Sequence, residues 1–133
     1  MEIDGLLAEL ENALKTEKGD LDRRVAVYNR IVALAAAYLD IPHPVACPQL
    51  VPVDDVRGND YNPNKVAPPE MRLLKLSIRK DGFTMPVVVA QDGKGHVVVD
   101  GFHRRQVAKM DAQIRKSLGG YLPVVRLDKS IED

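Results

Sequence analysis

The chain has 133 residues, and its 19 Lys plus Arg are balanced by 19 Asp plus Glu, so the formal net charge is zero. That length suits one domain with an appended arm, and 45% hydrophobic against 29% charged residues excludes a disordered chain. No apolar run approaches the roughly 20 residues of a membrane span, Glu2 and Asp4 stand where a signal peptide carries bases, and the single Cys47 excludes an internal disulfide and a Cys-rich zinc site, so a reducing cytoplasm with no membrane partner is the expectation.

Ile3, Leu6, Leu7, Leu10 and Leu14 follow helical spacing, with Asp4 as the expected N-cap and Gly19 as the stop. A second helix is predicted from Asp20. Leu21, Val25, Tyr28, Val32 and Leu39 form one apolar stripe, with Ile31, Leu34 and Tyr38 beside it. Such a wide stripe implies burial in a hairpin, against the main module, or in a homodimer through the N-terminal helices. Residues 1–41 are therefore read as a helical arm. Three prolines within residues 42–48 favour an extended linker, and His43 between two of them lacks a second metal-spaced ligand.

The main module is placed at 49–129. Gln49–Val53 reads as a strand and Arg57–Pro69 as a polar loop rich in turn residues. A helix is predicted from Pro69 to Lys80, stopped by Gly82, with Met71, Leu74 and Ile78 inward and Arg72, Lys75 and Arg79 outward. Val87–Ala90 and His96–Val99 flank the turn Asp92-Gly93-Lys94-Gly95 and predict a hairpin covered on both faces. One helix is expected from Phe102 to Leu118, stopped by Gly119-Gly120, and a last strand from Tyr121 to Leu127. The order fits a small α+β layered domain.

Charge follows the same division. Residues 1–50 sum to −3, residues 51–133 to +3, and the stretch 57–116 to +6. An acidic arm thus offsets a basic module, whose faces are either merely solvated or suited to an anionic partner.

The most informative segment is Asp100-Gly101-Phe102-His103-Arg104-Arg105, where a strand turns directly into a helix. The first N–H groups of a helix lack internal partners and carry the positive end of its dipole. Gly101 permits close approach, and two arginines add charge, which suits phosphate. Asp100 could orient a hydroxyl, accept a proton, hold a metal, or simply cap the helix. His103 shares a helical face with Val107, Met110 and Ile114, which also suits a core histidine. A second candidate is the loop Asn59–Lys65 with Glu70 beyond it, and a third is Gly82-Phe83-Thr84-Met85-Pro86 as a pocket wall.

Taken in order, residues 51–127 resemble the N-terminal domain of the ParB and sulfiredoxin superfamily, also known as the ParB-like nuclease domain. The resemblance rests on Val51-Pro52-Val53, Asn62-Pro63-Asn64, Leu73 to Gly82, Pro86-Val87-Val88-Val89, the Asp100–Arg105 signature and Tyr121 to Val125. It implies a small mixed sheet with packed helices, preceded here by the helical arm. It also implies a nucleotide (ATP, ADP or CTP, with Mg2+ as a companion ion) whose phosphates sit at Gly101, His103, Arg104 and Arg105, with Ser77, Asn62 and Asn64 nearby. Sulfiredoxins carry a cysteine where Phe102 stands, and partition proteins carry Glu-Arg at Phe102-His103, so neither chemistry transfers directly. Asp100-Gly101-Phe102-His103-Arg104 is nearest the free-serine kinase version, with Asp100 or Glu70 as the catalytic base. Asn59 to Asn64, Val66 to Met71 and Asp81 to Thr84 look most like the IbrB-like group, regulators that usually continue into a helix-turn-helix region, just where this chain stops.

These readings imply a ParB-like, nucleotide-binding module that regulates transcription or associates with DNA through Arg72, Lys75, Arg79 and Lys109. A nucleotide-dependent phosphotransferase or nucleotide hydrolase is the alternative, and a nuclease the last choice.

Overall fold

The computed structural model describes residues 2–58 and 68–127. Helices α1 (Ile3–Thr16) and α2 (Leu21–Leu39) come first. The module then runs β1 (Gln49–Pro52), β2 (Val56–Arg57), α3 (Pro68–Asp81), β3 (Val87–Asp92), β4 (Gly95–Asp100), α4 (Phe102–Met110), α5 (Ala112–Ser117) and β5 (Tyr121–Arg126). Among these described residues, no helix is long and apolar enough to cross a membrane.

The five strands form one mixed sheet in the order β1-β5-β3-β4-β2. β3 and β4 are the predicted antiparallel hairpin. β5 returns parallel to β3, and β1 closes the edge antiparallel to β5. β2 adds two residues parallel to β4, opposite His96 and Val97. Val53, Val56, Val87, Val89, Val98, Leu122 and Val124 have no exposed surface and form the sheet's core with Val51 and Ala108. Burying each such side chain is worth roughly 1.5–3 kcal/mol. Ile78, Val107 and Ile114 make a second cluster between the helices, and Phe83 and Leu118 pack on both clusters.

Several boundaries differ from expectation, each for a local reason. Asp4 is not the cap of α1; Glu2 holds that position, and Asp4 lies in the first turn, where a carboxylate favours the helix dipole. α1 stops at Thr16, and Gly19 belongs to the connection into α2. β1 ends at Pro52, because Val53–Asp55 tighten into a 3-10 turn. β2 went unseen inside a stretch read as loop, since two residues are too short for a periodic signal. The proline stretch is not uniformly extended: Pro44–Ala46 form a 3-10 turn.

The largest difference is in the last helical stretch. It is two helices, not one, broken at Asp111. Asp111 takes an extended conformation and caps α5 by accepting from Ile114 N at 3.1 Å. It also receives Arg79 Nη2 at 2.6 Å, which ties α3 to the break. A second cap and a cross-helix ion pair outweigh one more turn of α4. The break carries Met110 off the inward face expected of it, leaving it 72% exposed.

Of the three settings open to the α2 stripe, the module takes one face. Val25 is buried, Tyr121 donates its hydroxyl to Asp22, and the Asn29 side chain bonds the backbone of β1.

Candidate functional site

The site is built where β4 becomes α4. The β3–β4 register shifts between Val88 and Val89, so Val99 is the extra residue and Asp100 stands opposite Val88. Such bulges re-aim the residues that follow them. Gly101 then turns the chain with φ of +100°, a value that L side chains rarely adopt. A Cβ placed there would lie 2.8 Å from Arg104 Nη2 and 3.3 Å from Val87 Cγ2. The absence of a Cβ therefore lets the Arg104 guanidinium and Val87 pack directly against the turn. As N-cap of α4 it also supplies no capping side chain, so the leading N–H groups of the helix keep no acceptor within it.

Two side chains of the first helical turn follow. Arg104 donates from Nη2 to the Pro86 carbonyl at 3.3 Å, and its buried Nε has no partner among the described residues. The buried His103 Nδ1 likewise has none among them. Buried polar atoms left unpaired cost about 1–3 kcal/mol each; Arg104 Nε is a donor that calls for an acceptor, whereas His103 Nδ1 donates or accepts according to its tautomer. A cavity of about 170 Å³ opens on Arg104, lined also by Leu74, Ser77, Ile78, Gly82, Phe83, Thr84 and Met85. Ser77 and the Gly82–Pro86 segment thus meet Arg104, as a pocket wall should.

Arg105 behaves differently from its neighbour. Its Nε and Nη2 both donate to the Val56 carbonyl, at 3.1 and 2.7 Å. Burial lowers its pKa, with the Asp54 charge opposing that shift. Arg105 is a clamp between α4 and the β1–β2 connection, and Gly58 passes beside its guanidinium.

The expected carboxylates do not converge on the cavity lining. Asp100 is exposed at the end of β4, and Glu70 is exposed in the first turn of α3. Among the described residues, no three His, Cys, Asp or Glu side chains stand close enough together to hold a metal ion. Asn62 and Asn64, with the rest of the Asn59–Lys65 loop, lie outside the described residues.

Of the proposed DNA face, Arg79 is used by the fold itself, paired with Asp111. Elsewhere Arg57 pairs with Asp92, and Arg115 with Asp54 through both of its terminal nitrogens, at 3.1 and 2.8 Å. Those pairs hold the carboxylates low: the backbone bond from Ile114 and then Arg79 for Asp111, the Arg57 hydrogen bond for Asp92, and the Arg115 hydrogen bond for Asp54. Arg72 is exposed and carries no ion pair among the described residues, while Lys75 and Lys109 are half-buried. Sequence inspection had missed Asp111 and the Pro86 and Val56 carbonyls. A carbonyl has no signature in sequence, but an Asp three residues before Ile114 inside a helical pattern is a legible cap.

No protein-family model matches the chain. It is 48% identical over 86 residues to the Escherichia coli (strain K12) protein "Uncharacterized protein YbdM", covering 64% of this chain and 41% of that protein. The chain thus spans about two fifths of the length of that relative. Sulfiredoxin from Arabidopsis thaliana superposes with a TM-score of 0.50 at 17% identity, over 64% of this chain and 89% of sulfiredoxin. The C-terminally truncated chromosome-partitioning protein ParB from Caulobacter crescentus, complexed with CTP-gamma-S, gives 0.49 at 18% identity, over 64% and 46% of the two chains. The α+β fold is the ParB/sulfiredoxin-like one.

Proposed function

We propose that this module binds a nucleotide through its phosphates at the Gly101–Arg104 turn and acts as a regulatory binding module. The observation that carries the reading is the pair of buried nitrogens without a partner among the described residues, His103 Nδ1 and Arg104 Nε, beside a helix start whose cap is a glycine. An anion there would meet the α4 dipole, free N–H groups and a guanidinium together. Ser77 and Thr84 stand across the same cavity to donate hydroxyl hydrogen bonds. The cavity of about 170 Å³ is smaller than the roughly 300 Å³ at which drug-sized pockets begin, so it suits the phosphate end of a nucleotide. A magnesium ion would arrive with the phosphates, because the described residues offer it no ready cluster.

Binding is favoured over turnover because Asp100 and Glu70 do not line the cavity with Arg104. Anion recognition is assigned to this turn and not to a broad basic face, because Arg79, on the outer face of α3, already answers a carboxylate of the same chain.

Thermal shift with ATP, ADP, CTP and inorganic phosphate, each with and without magnesium, tests the reading. A nucleotide at a hundred times its Kd adds about 2.7 kcal/mol of stability. That gain should vanish in Arg104→Ala and persist in Asp100→Asn. Absence of any shift would overturn the reading, and multiple turnover lost in Asp100→Asn would replace it with an enzymatic one.

A further inference from the structure

The arm poses a separate problem. α1 has 14 residues, none of them buried. Ile3, Leu6, Leu7, Leu10 and Leu14 remain 37–62% exposed. An isolated helix of that length is marginal in water, and this one gives its leucines no core. α2 has the complementary surplus. Its Val25–Asn29 face meets the module, while Val27, Ile31, Leu34 and Tyr38, spaced by four, three and four, point away from it, with Leu34 73% and Tyr38 86% exposed. Between the two helices lies a groove of about 410 Å³ lined by Leu10, Arg23, Ala26, Val27, Arg30, Ile31 and Leu34.

We infer that this groove takes α1 of a second copy of the chain, giving a two-fold dimer through the arm. The groove has an apolar floor and arginines at its rim. Arg23 meets Glu17, whereas Arg30 has no ion pair among the described residues. The helix that suits such a groove has an apolar stripe bordered by acids. α1 is that helix: Ile3, Leu7, Leu10 and Leu14 form the stripe, and Asp4, Glu9 and Glu11 border it. The match is reciprocal, because each copy owns both the groove and the helix, so a two-fold axis fills both grooves and closes the assembly.

Sedimentation velocity on the whole chain, over an about hundredfold range of concentration around micromolar, is the test. The expected species is a dimer. Leu7→Glu and Leu34→Glu should each give a monomer whose module keeps its near-ultraviolet and amide NMR signature while helical ellipticity falls. Both residues lie outside the core, so misfolding would show in those spectra. Arg30→Glu should weaken the dimer at least tenfold, and adding Glu9→Arg to the same chain should recover part of the loss. A monomer throughout, open-ended oligomers, or a dimer indifferent to both leucine substitutions would overturn the inference. None of these readouts depends on nucleotide.

Discussion

Asn29 pairs with Leu50 as a neighbouring strand would. Its Nδ2 donates to the Leu50 carbonyl at 2.8 Å, and its Oδ1 accepts from the Leu50 N–H at 2.9 Å. β1 is an edge strand with no strand beyond it, and such edges invite foreign strands. One carboxamide on α2 satisfies both backbone groups, and Gln49 Nε2 returns a bond to the Asn29 carbonyl at 3.2 Å. The helix is thereby set against the sheet by hydrogen bonds as well as by Val25.

Asn29→Ala should therefore cost about 2 kcal/mol, two net hydrogen bonds at ~1 kcal/mol each. Asn29→Asp should be no better, since it keeps the acceptor, loses the donor and faces a carboxylate to the Leu50 carbonyl. Urea unfolding of the two variants checks this, and hydrogen exchange at Leu50 should rise first.

Asp111 should give the fold an acid-sensitive joint. Its carboxyl is held below the ordinary 3.8, first by the Ile114 N–H and then by Arg79. A carboxylate with a depressed folded pKa contributes stability that is complete above its unfolded value and is lost as pH falls through the folded value. Asp111→Asn keeps a capping oxygen and removes the charge, so it should cost about 1–2 kcal/mol at neutral pH. The gap between variant and wild type should close as pH falls from the ordinary 3.8 through the lower folded value, as measured by urea unfolding at each pH.

Adjacent arginines should fail in different ways. Arg105→Ala leaves the buried Val56 carbonyl without its two donors and should cost roughly 2–3 kcal/mol. Arg105→Lys should recover little, since one ammonium cannot reproduce the fork. Arg104→Ala loses a single 3.3 Å bond to Pro86, so it should unfold near the wild-type midpoint while losing the nucleotide-induced shift. Denaturation curves with and without ligand separate the two roles.

Gly101→Ala should damage both fold and binding. The methyl would sit 2.8 Å from Arg104 Nη2 on a backbone at φ of +100°, with strain of about 1–2 kcal/mol. Nucleotide affinity should drop at least tenfold, read by calorimetric titration on the fraction that remains folded.

The hairpin, α3, β5 and the Gly101 turn could be read in the sequence because each depends on local chemistry. Continuous β-branched runs, turn dipeptides and a glycine at a strand-to-helix junction act over a few positions. What could not be read depends on partners far along the chain. The Asp111 cap is local and legible, but Arg79, which reaches it from another helix, is not. Arg105 donates to the carbonyl of Val56, 49 residues earlier, a partner no local pattern announces. Asn29 carries no signal at all in a helix of mixed polarity. For the site, residue types were enough to find the turn and its cavity, whereas the division of labour between Arg104 and Arg105 required the fold.

The strand order has a consequence for descent. The arm grips β1 at one edge, and the Gly101 turn issues from β4 in the opposite half of the sheet, with β5 and β3 lying between them. If the proposed dimer and the proposed phosphate site both hold, substitutions that retune self-association would fall on residues that recognition does not use, and a lineage could change its arm or its ligand one at a time.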